Sequence, residues 1–224
     1  MTAQLKSASR SHGIAGMLAG VLFGVALISS KLPGGNTSPA DFTAWFSTRS
    51  HQVGGIVMSY LLAAVSLTFA WFFVGLERRV RAASGHLSSR LQLAGLTGAV
   101  VVAGLLLASG ALFGMAGPLA LEHGAKAGEA TVALGWLVLG LLVISMLAAG
   151  VTIVAISLDG RQCAALPAWN TRVAYGCALL LVVGSVVGAP MMAFAIWLVA
   201  TGIVLARPEA AAPTPAQQRQ VART

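Results

Sequence analysis

The sequence predicts an all-α protein, a six-helix transmembrane bundle with a short amphipathic interfacial helix in the first outer loop. Three observations carry this. Of the 224 residues, 57% are hydrophobic and 9% charged, whereas a soluble domain has about a quarter charged. Six apolar segments, 13–30, 52–75, 91–115, 130–157, 172–188 and 190–206, hold no charged residue in their interiors. Each approaches the roughly 20 residues that a helix needs to cross a bilayer. Lysine and arginine crowd into alternate loops, as they do in proteins that thread a membrane.

The first segment follows Lys6 and Arg10 and could pass for a secretory leader. Its apolar run is long and no small-x-small cleavage site precedes Lys31, so it reads as a retained span. It carries Gly16-x-x-x-Gly20-x-x-x-Gly24, a stripe that lets another helix approach closely. Within 31–51, Ser38-Pro39-Ala40-Asp41 reads as a helix start: Ser38 as N-cap, Pro39 in the first helical position, Asp41 near the positive dipole end. Phe42, Trp45 and Phe46 then fall on one face, which suits a helix lying on the outer membrane surface.

The second segment bears a small stripe, Gly55, Ser59, Ala63, Ser66 and Ala70, opposite bulky Ile56, Tyr60, Leu67 and Trp71. The third has Gly110-x-x-x-Gly114, the fourth Ser145, Ala148, Ala149 and Thr152, and the fifth Gly184-x-x-x-Gly188. These seams predict internal packing, with the serine and threonine hydroxyls bonding to backbone carbonyls. The last two segments are about 17 residues each. Gly188-Ala189-Pro190 between them reads as a tight turn rather than a kink.

With the N-terminus inside, the inner segments hold eleven of the 14 basic residues, and only Lys31, Arg49 and Lys126 lie outside. Both termini are then cytoplasmic. Residues 1–12 form an inner N-terminal segment, 13–206 the membrane domain, and 207–224 a disordered Ala-, Pro- and Gln-rich tail. The net charge of +8 is accounted for by inner-rim arginines facing anionic membrane lipids and calls for no nucleic acid. Trp45 and Trp136 map to the outer interface, and Trp71, Trp169 and Tyr175 to the inner one, as an aromatic belt. Trp197 falls at mid-span, where it fills space between helices. Cys163 and Cys177 fall in or near a reducing compartment, so no structural disulfide is expected.

Motifs that carry chemistry are missing. There is no H-E-x-x-H, no G-x-S-x-G and no phosphate-cradling loop. The four histidines are placed outside the spans, which excludes haem held between them. No catalytic residue, cofactor or metal is therefore assigned. One polar grouping stands out: Asp41, Arg49 and His51 of the first outer loop with Glu122, His123 and Glu129 of the second. Its spacing matches no metal-site pattern, which favours solvated loop charges.

Ala40-Asp41-Phe42, Trp45-Phe46-Ser47, Ser59-Tyr60-Leu61-Leu62, Phe69-Ala70-Trp71-Phe72 and Leu166-Pro167-Ala168-Trp169 together resemble a broad group of uncharacterised six-span bacterial membrane proteins, over most of residues 10–206. The resemblance implies the fold and a bacterial plasma membrane, and it brings no activity with it. The scarcity of lysine beside arginine, with abundant alanine, glycine and valine, also fits a GC-rich bacterial genome. The expected function is a non-catalytic binding or scaffold protein, partnered by lipid, by a second copy or by another membrane chain. A small-molecule carrier is the alternative, and a membrane enzyme using the outer polar grouping the third reading.

Overall fold

A computed structural model describes the backbone over residues 2–29, 41, 44–45, 48–84, 90–123, 128–184 and 189–207, and side chains from residue 10 onward within these ranges except at 116–123, 128–131 and 189. The described residues form six α-helices and no strand: α1 Thr2–Ser29, α2 Arg49–Ser84, α3 Arg90–His123, α4 Gly128–Gln162, α5 Ala168–Val183 and α6 Met192–Ala206, with a 3-10 turn at Ala189–Met191 before α6. Four stretches, Arg10–Ser29, Arg49–Ser84, Arg90–Met115 and Val132–Gln162, are long and apolar enough to cross a membrane, and α5 and α6 are shorter apolar helices.

Consecutive helices touch, and α1 touches α6, so the neighbours close into a ring. Weaker contacts of α2 with α4 and α6 flatten that ring into two layers, α1–α2–α3 against α6–α5–α4. α4 and α5 leave the same tight turn, fixed by backbone bonds from Cys163 N to Asp159 O (3.1 Å) and from Leu166 N to Gly160 O (3.0 Å). Gly160 leaves room for the Leu166 side chain to fold back over the helix end, and Ala164 takes a left-handed conformation (φ 57°). With 35 residues against 16, α4 outruns α5 by about 28 Å.

Lipid supplies little hydrophobic drive for pressing helices together, so closeness of fit must hold the bundle. Gly16 of α1 receives the Phe72 ring of α2. Gly20 meets the Ala195 carbonyl and the side chains of Leu198 and Val199 on α6, and Gly24 lies beside Met192. The stripe therefore faces both neighbours, with Gly16 toward α2 and its other two members toward α6. Gly13 and Gly202, which the stripe did not include, bring α1 and α6 into backbone contact. A Cβ on Gly202 would lie 2.7 Å from the Gly13 oxygen and 2.8 Å from the Met17 nitrogen.

The stripe on α2 packs as expected along most of its length. Gly110 abuts the Ser59 carbonyl and Leu62, Gly114 abuts the Ser59 side chain, and Gly55 lies against Phe113. Ala63 is half-buried, whereas Ala70, at the stripe's end, is exposed. Opposite, Tyr60 is 74% and Leu67 68% exposed, the face offered to lipid. A second buried face of α2 is aromatic. Phe69 meets Phe194 at 5.5 Å, Phe72 meets Trp197 edge-on at 5.8 Å, and Phe194 meets Phe23 edge-on at 5.3 Å. These rings tie α1, α2 and α6 together, each edge-on pair contributing about 0.5–1.5 kcal/mol. Trp197 is fully buried and fills space as expected.

Four hydroxyls, those of Ser66, Ser109, Ser145 and Thr152, bond to carbonyls as expected. Ser66 donates across to the Ala103 carbonyl at 2.8 Å and Ser145 to that of Val102 at 3.4 Å. Ser109 and Thr152 bond back to carbonyls four residues earlier on their own helices. Gly98 opens the space that Thr152 occupies between α3 and α4.

Three expectations need correction. α5 ends at Val183, not residue 188, and it begins four residues earlier than expected, at Ala168. Gly184 is therefore not part of a packing seam. It caps α5 and gives way to Pro190 of the following turn, while Gly188 lies outside the described residues. The second correction is that α1 extends back to Thr2, so residues 10–12 belong to the helix. The third concerns His12, described below. As for the interfacial helix, Asp41, Ala44 and Trp45 are helical, and the rest of it lies outside the described residues.

Adding a methyl group at the α1–α6 contact tests the packing. Gly202→Ala is expected to cost about 1–3 kcal/mol through overpacking and to lower Tm in detergent. Gly104→Ala, where a Cβ meets nothing within 4 Å, is expected to leave Tm unchanged or higher.

Candidate functional site

The outer polar residues do not assemble into a site among the described residues. Asp41 and Arg49 are exposed. The His51 ring stacks on Trp45 at 4.1 Å with 6° between planes, and its Nδ1–H donates to the Trp45 carbonyl at 2.7 Å. His51 thus clamps Trp45 to the start of α2. Glu122 and His123 are the last residues of α3 and Glu129 the second of α4, with side chains outside the described residues. No group of three or more His, Cys, Asp or Glu that could hold a metal occurs among the described residues.

Buried polar groups collect instead at the opposite end, where the α4–α5 turn lies. The Cys163 thiol reaches the Val80 carbonyl at 3.7 Å, which sets that turn beside the end of α2. Cys163 and Cys177 are both free thiols, as expected. Glu77, largely shielded, takes Gln92 of α3 at 2.9 Å and pairs with Arg81 one turn on. Arg79 crosses to α6 and donates to the Val204 carbonyl at 3.0 Å. That carbonyl is among the last four of α6, which have no partner within the helix, and a cation there also complements the helix dipole. Asp159 is buried near the end of α4.

His12 overturns the placement of every histidine outside the spans. It lies in the apolar stretch Arg10–Ser29 and is 3% exposed. Its ring packs on Trp71 at 4.8 Å and occupies the space left by Gly75. The Trp71 carbonyl can only accept, so His12 Nδ1 carries the proton in their 2.9 Å bond. His12 is thereby a link between α1 and α2.

Between α4, α5 and α6 lies a second polar group. Asn170 Nδ2 donates to Thr201 Oγ1 at 3.1 Å. Asn170 is near the start of α5 and Thr201 near the end of α6, so the two helices are antiparallel partners and not one kinked helix. Trp197 lies one turn before Thr201 on the same face. Thr171 follows Asn170. Gly150 of α4 sits against the Ala178 carbonyl and Leu181 of α5, and counting seven residues back toward the turn brings Ser157 level with Thr171. Ser157, Asn170, Thr171, Thr201 and Trp197 are all fully buried. Four of their polar atoms, Ser157 Oγ, Asn170 Oδ1, Thr171 Oγ1 and Trp197 Nε1, have no hydrogen-bond partner in the structure. Such atoms cost about 1–3 kcal/mol each when left dry.

The sequence held little to announce this group. Serine, threonine and asparagine within apolar helices are common packing elements, and the Asn170–Thr201 pair spans 31 positions. The pairing of Arg79 with a helix end gives a direct check. Arg79→Met is expected to cost about 1.5–3 kcal/mol, because the bond has a charged donor. Arg78→Met, on the exposed side of the same turn, should stay within about 0.5 kcal/mol. Thermal unfolding of the two variants in one detergent decides it. Comparison with protein-family models, with curated proteins and with solved structures finds no match for this chain.

Proposed function

We propose that the chain is a non-catalytic membrane protein, a binding or scaffold subunit of a larger membrane assembly. It crosses a bacterial plasma membrane six times, with both ends in the cytoplasm. The observation that carries this reading is the centre of the bundle, filled by Phe23, Phe69, Phe72, Phe194 and Trp197, each 0–1% exposed. A core closed by interlocked rings suits a protein that holds its shape and presents its outer faces.

The concentration of Arg78, Arg79, Arg81 and Arg161 at the end that carries the α4–α5 turn supports a cytoplasmic position for that end. α5 and α6 are short, about 24 and 22 Å as helices, and the turn between them adds to their reach across a layer of about 30 Å.

Helix order favours this reading over a carrier built from two inverted halves. Such a carrier pairs α1 with α4, α2 with α5 and α3 with α6 through a two-fold axis in the membrane plane. Seen along the helices, that axis acts as a mirror line. In a ring of six these pairs are opposite one another, and no single line exchanges all three.

Native mass spectrometry of protein released from mild detergent tests the proposal. The expected result is a complex with a partner chain, a second copy or a retained apolar molecule. Bare monomers, together with solute uptake by proteoliposomes, would overturn it.

A further inference from the structure

We infer that the exposed side of α5 at the turn end binds one anionic phospholipid, its phosphate held by Trp169, Arg172 and Tyr175 and an acyl chain lying over Gly176 and Leu179. The site rests on the reading that the bundle lies in a membrane, and it is independent of the scaffold role.

Helix geometry places the three residues together. Successive residues turn by about 100° around an α-helix, so Trp169 and Tyr175 lie about 60° to either side of Arg172. All three are exposed, Trp169 by 43% and Tyr175 by 37%. Side chains on a helix lean toward its N-terminus, which in α5 is the turn end. None of the three makes a side-chain hydrogen bond, ion pair or ring contact among the described residues. Trp71, the other tryptophan expected at this interface, is already engaged, with its ring packed on His12.

The chemistry of the partner follows from what these groups offer. An indole N–H and a guanidinium only donate, and a phenol can donate. Such a set suits an acceptor-rich anion, and a phosphate takes several charge-assisted bonds at once. The local charge is unbalanced as well. α5 has no acidic residue in its first turn, Glu77 is paired with Arg81, and Asp159 is buried. Arg161, exposed at the end of α4, is a second cation with no ion pair among the described residues. A headgroup whose phosphate carries its own ammonium group leaves this positive excess in place, whereas an anionic headgroup offsets it.

The surface beyond Arg172 fits hydrocarbon. Gly176 follows one turn later, about 40° round the helix from Arg172, and a Cβ there would meet nothing within 4 Å. The missing side chain leaves a dimple in the exposed face. Leu179, Leu180 and Val183 continue that face as exposed apolar residues. From Arg172 to Val183 the helix rises about 16 Å, the depth of one leaflet of a hydrocarbon layer about 30 Å thick. The face is thus as tall as the chains of one lipid whose phosphate sits at the arginine.

Native mass spectrometry and thermal unfolding of the full chain in mild detergent test the site, with phosphatidylglycerol and phosphatidylcholine of the same acyl chains as probes. The expected result is one phosphatidylglycerol retained per chain in preference to phosphatidylcholine, with a matching rise in Tm. Arg172→Gln, at an exposed position, is expected to weaken retention about tenfold and to remove the lipid-dependent rise, while Tm without added lipid stays as in the parent. Arg90→Gln removes the same charge from an exposed position at the same end and is expected to change neither. Equal retention of the two lipids, undiminished retention in Arg172→Gln, or an equal loss in both variants overturns the site, because the rim then attracts lipid by its summed charge alone. Displacement of the lipid by inorganic phosphate also overturns it, in favour of a soluble anion. None of these readouts needs a partner chain, so the scaffold reading can fail without them. A chain that stays dispersed without detergent would instead contradict the membrane reading on which both rest.

Discussion

The fold depends on how closely α1 can approach its two neighbours. Hydrocarbon chains are as apolar as leucine, so burying leucine between helices gains little in a bilayer. What remains is contact at short range, and α1 provides it with missing side chains. Gly16 admits a phenylalanine ring from α2, and Gly13 and Gly20 admit the backbone of α6. The first and last helices are thereby joined and the ring of six is closed. The aromatic cluster follows, because Phe72 can reach Trp197 only when α1 leaves it room.

Polarity is distributed along the bundle with the same economy. The middle is held by rings and by hydroxyls that bond to nearby carbonyls. Groups that water would otherwise satisfy gather at the turn end, where Glu77, Gln92 and Arg79 stitch α2 to α3 and α6. At the far end α2, α3 and α4 run on beyond the α5–α6 hairpin, and the Trp45–His51 stack pins Trp45 to the start of α2. The two ends thus differ in construction: the turn end is knitted by polar side chains from several helices, and the far end is built from three long helices.

Much of this was legible in the residues. The α2 stripe predicts a close helical neighbour because small residues at helical spacing let another backbone approach, and the structure makes that neighbour α3, where Ser59 meets Gly110 and Gly114. The exposed row of Tyr60, Leu67 and Trp71 followed from the same pattern. Gly184 misled because a glycine three or four positions from another looks alike whether it seats a helix or ends one; Pro190, six residues on, decided for the cap. His12 reads as part of the inner segment because the uninterrupted apolar run begins after it. Its burial depends on Trp71 and Gly75 on the next helix, at a distance no local pattern encodes. For the same reason the Asn170–Thr201 bond was invisible: each residue is ordinary in its own helix, and only the fold brings the two together. Of the polar grouping that the sequence reads as solvated loop charges, His51 serves as a clamp for Trp45.

A double-mutant cycle between Gly16 and Phe72 tests the central claim most directly. Gly16→Ala alone should lower Tm sharply, since its new methyl group would enter the space of the Phe72 ring. Phe72→Leu, which withdraws that ring, should remove most of the penalty, giving a coupling of about 0.5–3 kcal/mol. Strictly additive effects would mean that the two residues do not meet and that closeness of α1 to α2 is not what holds the bundle.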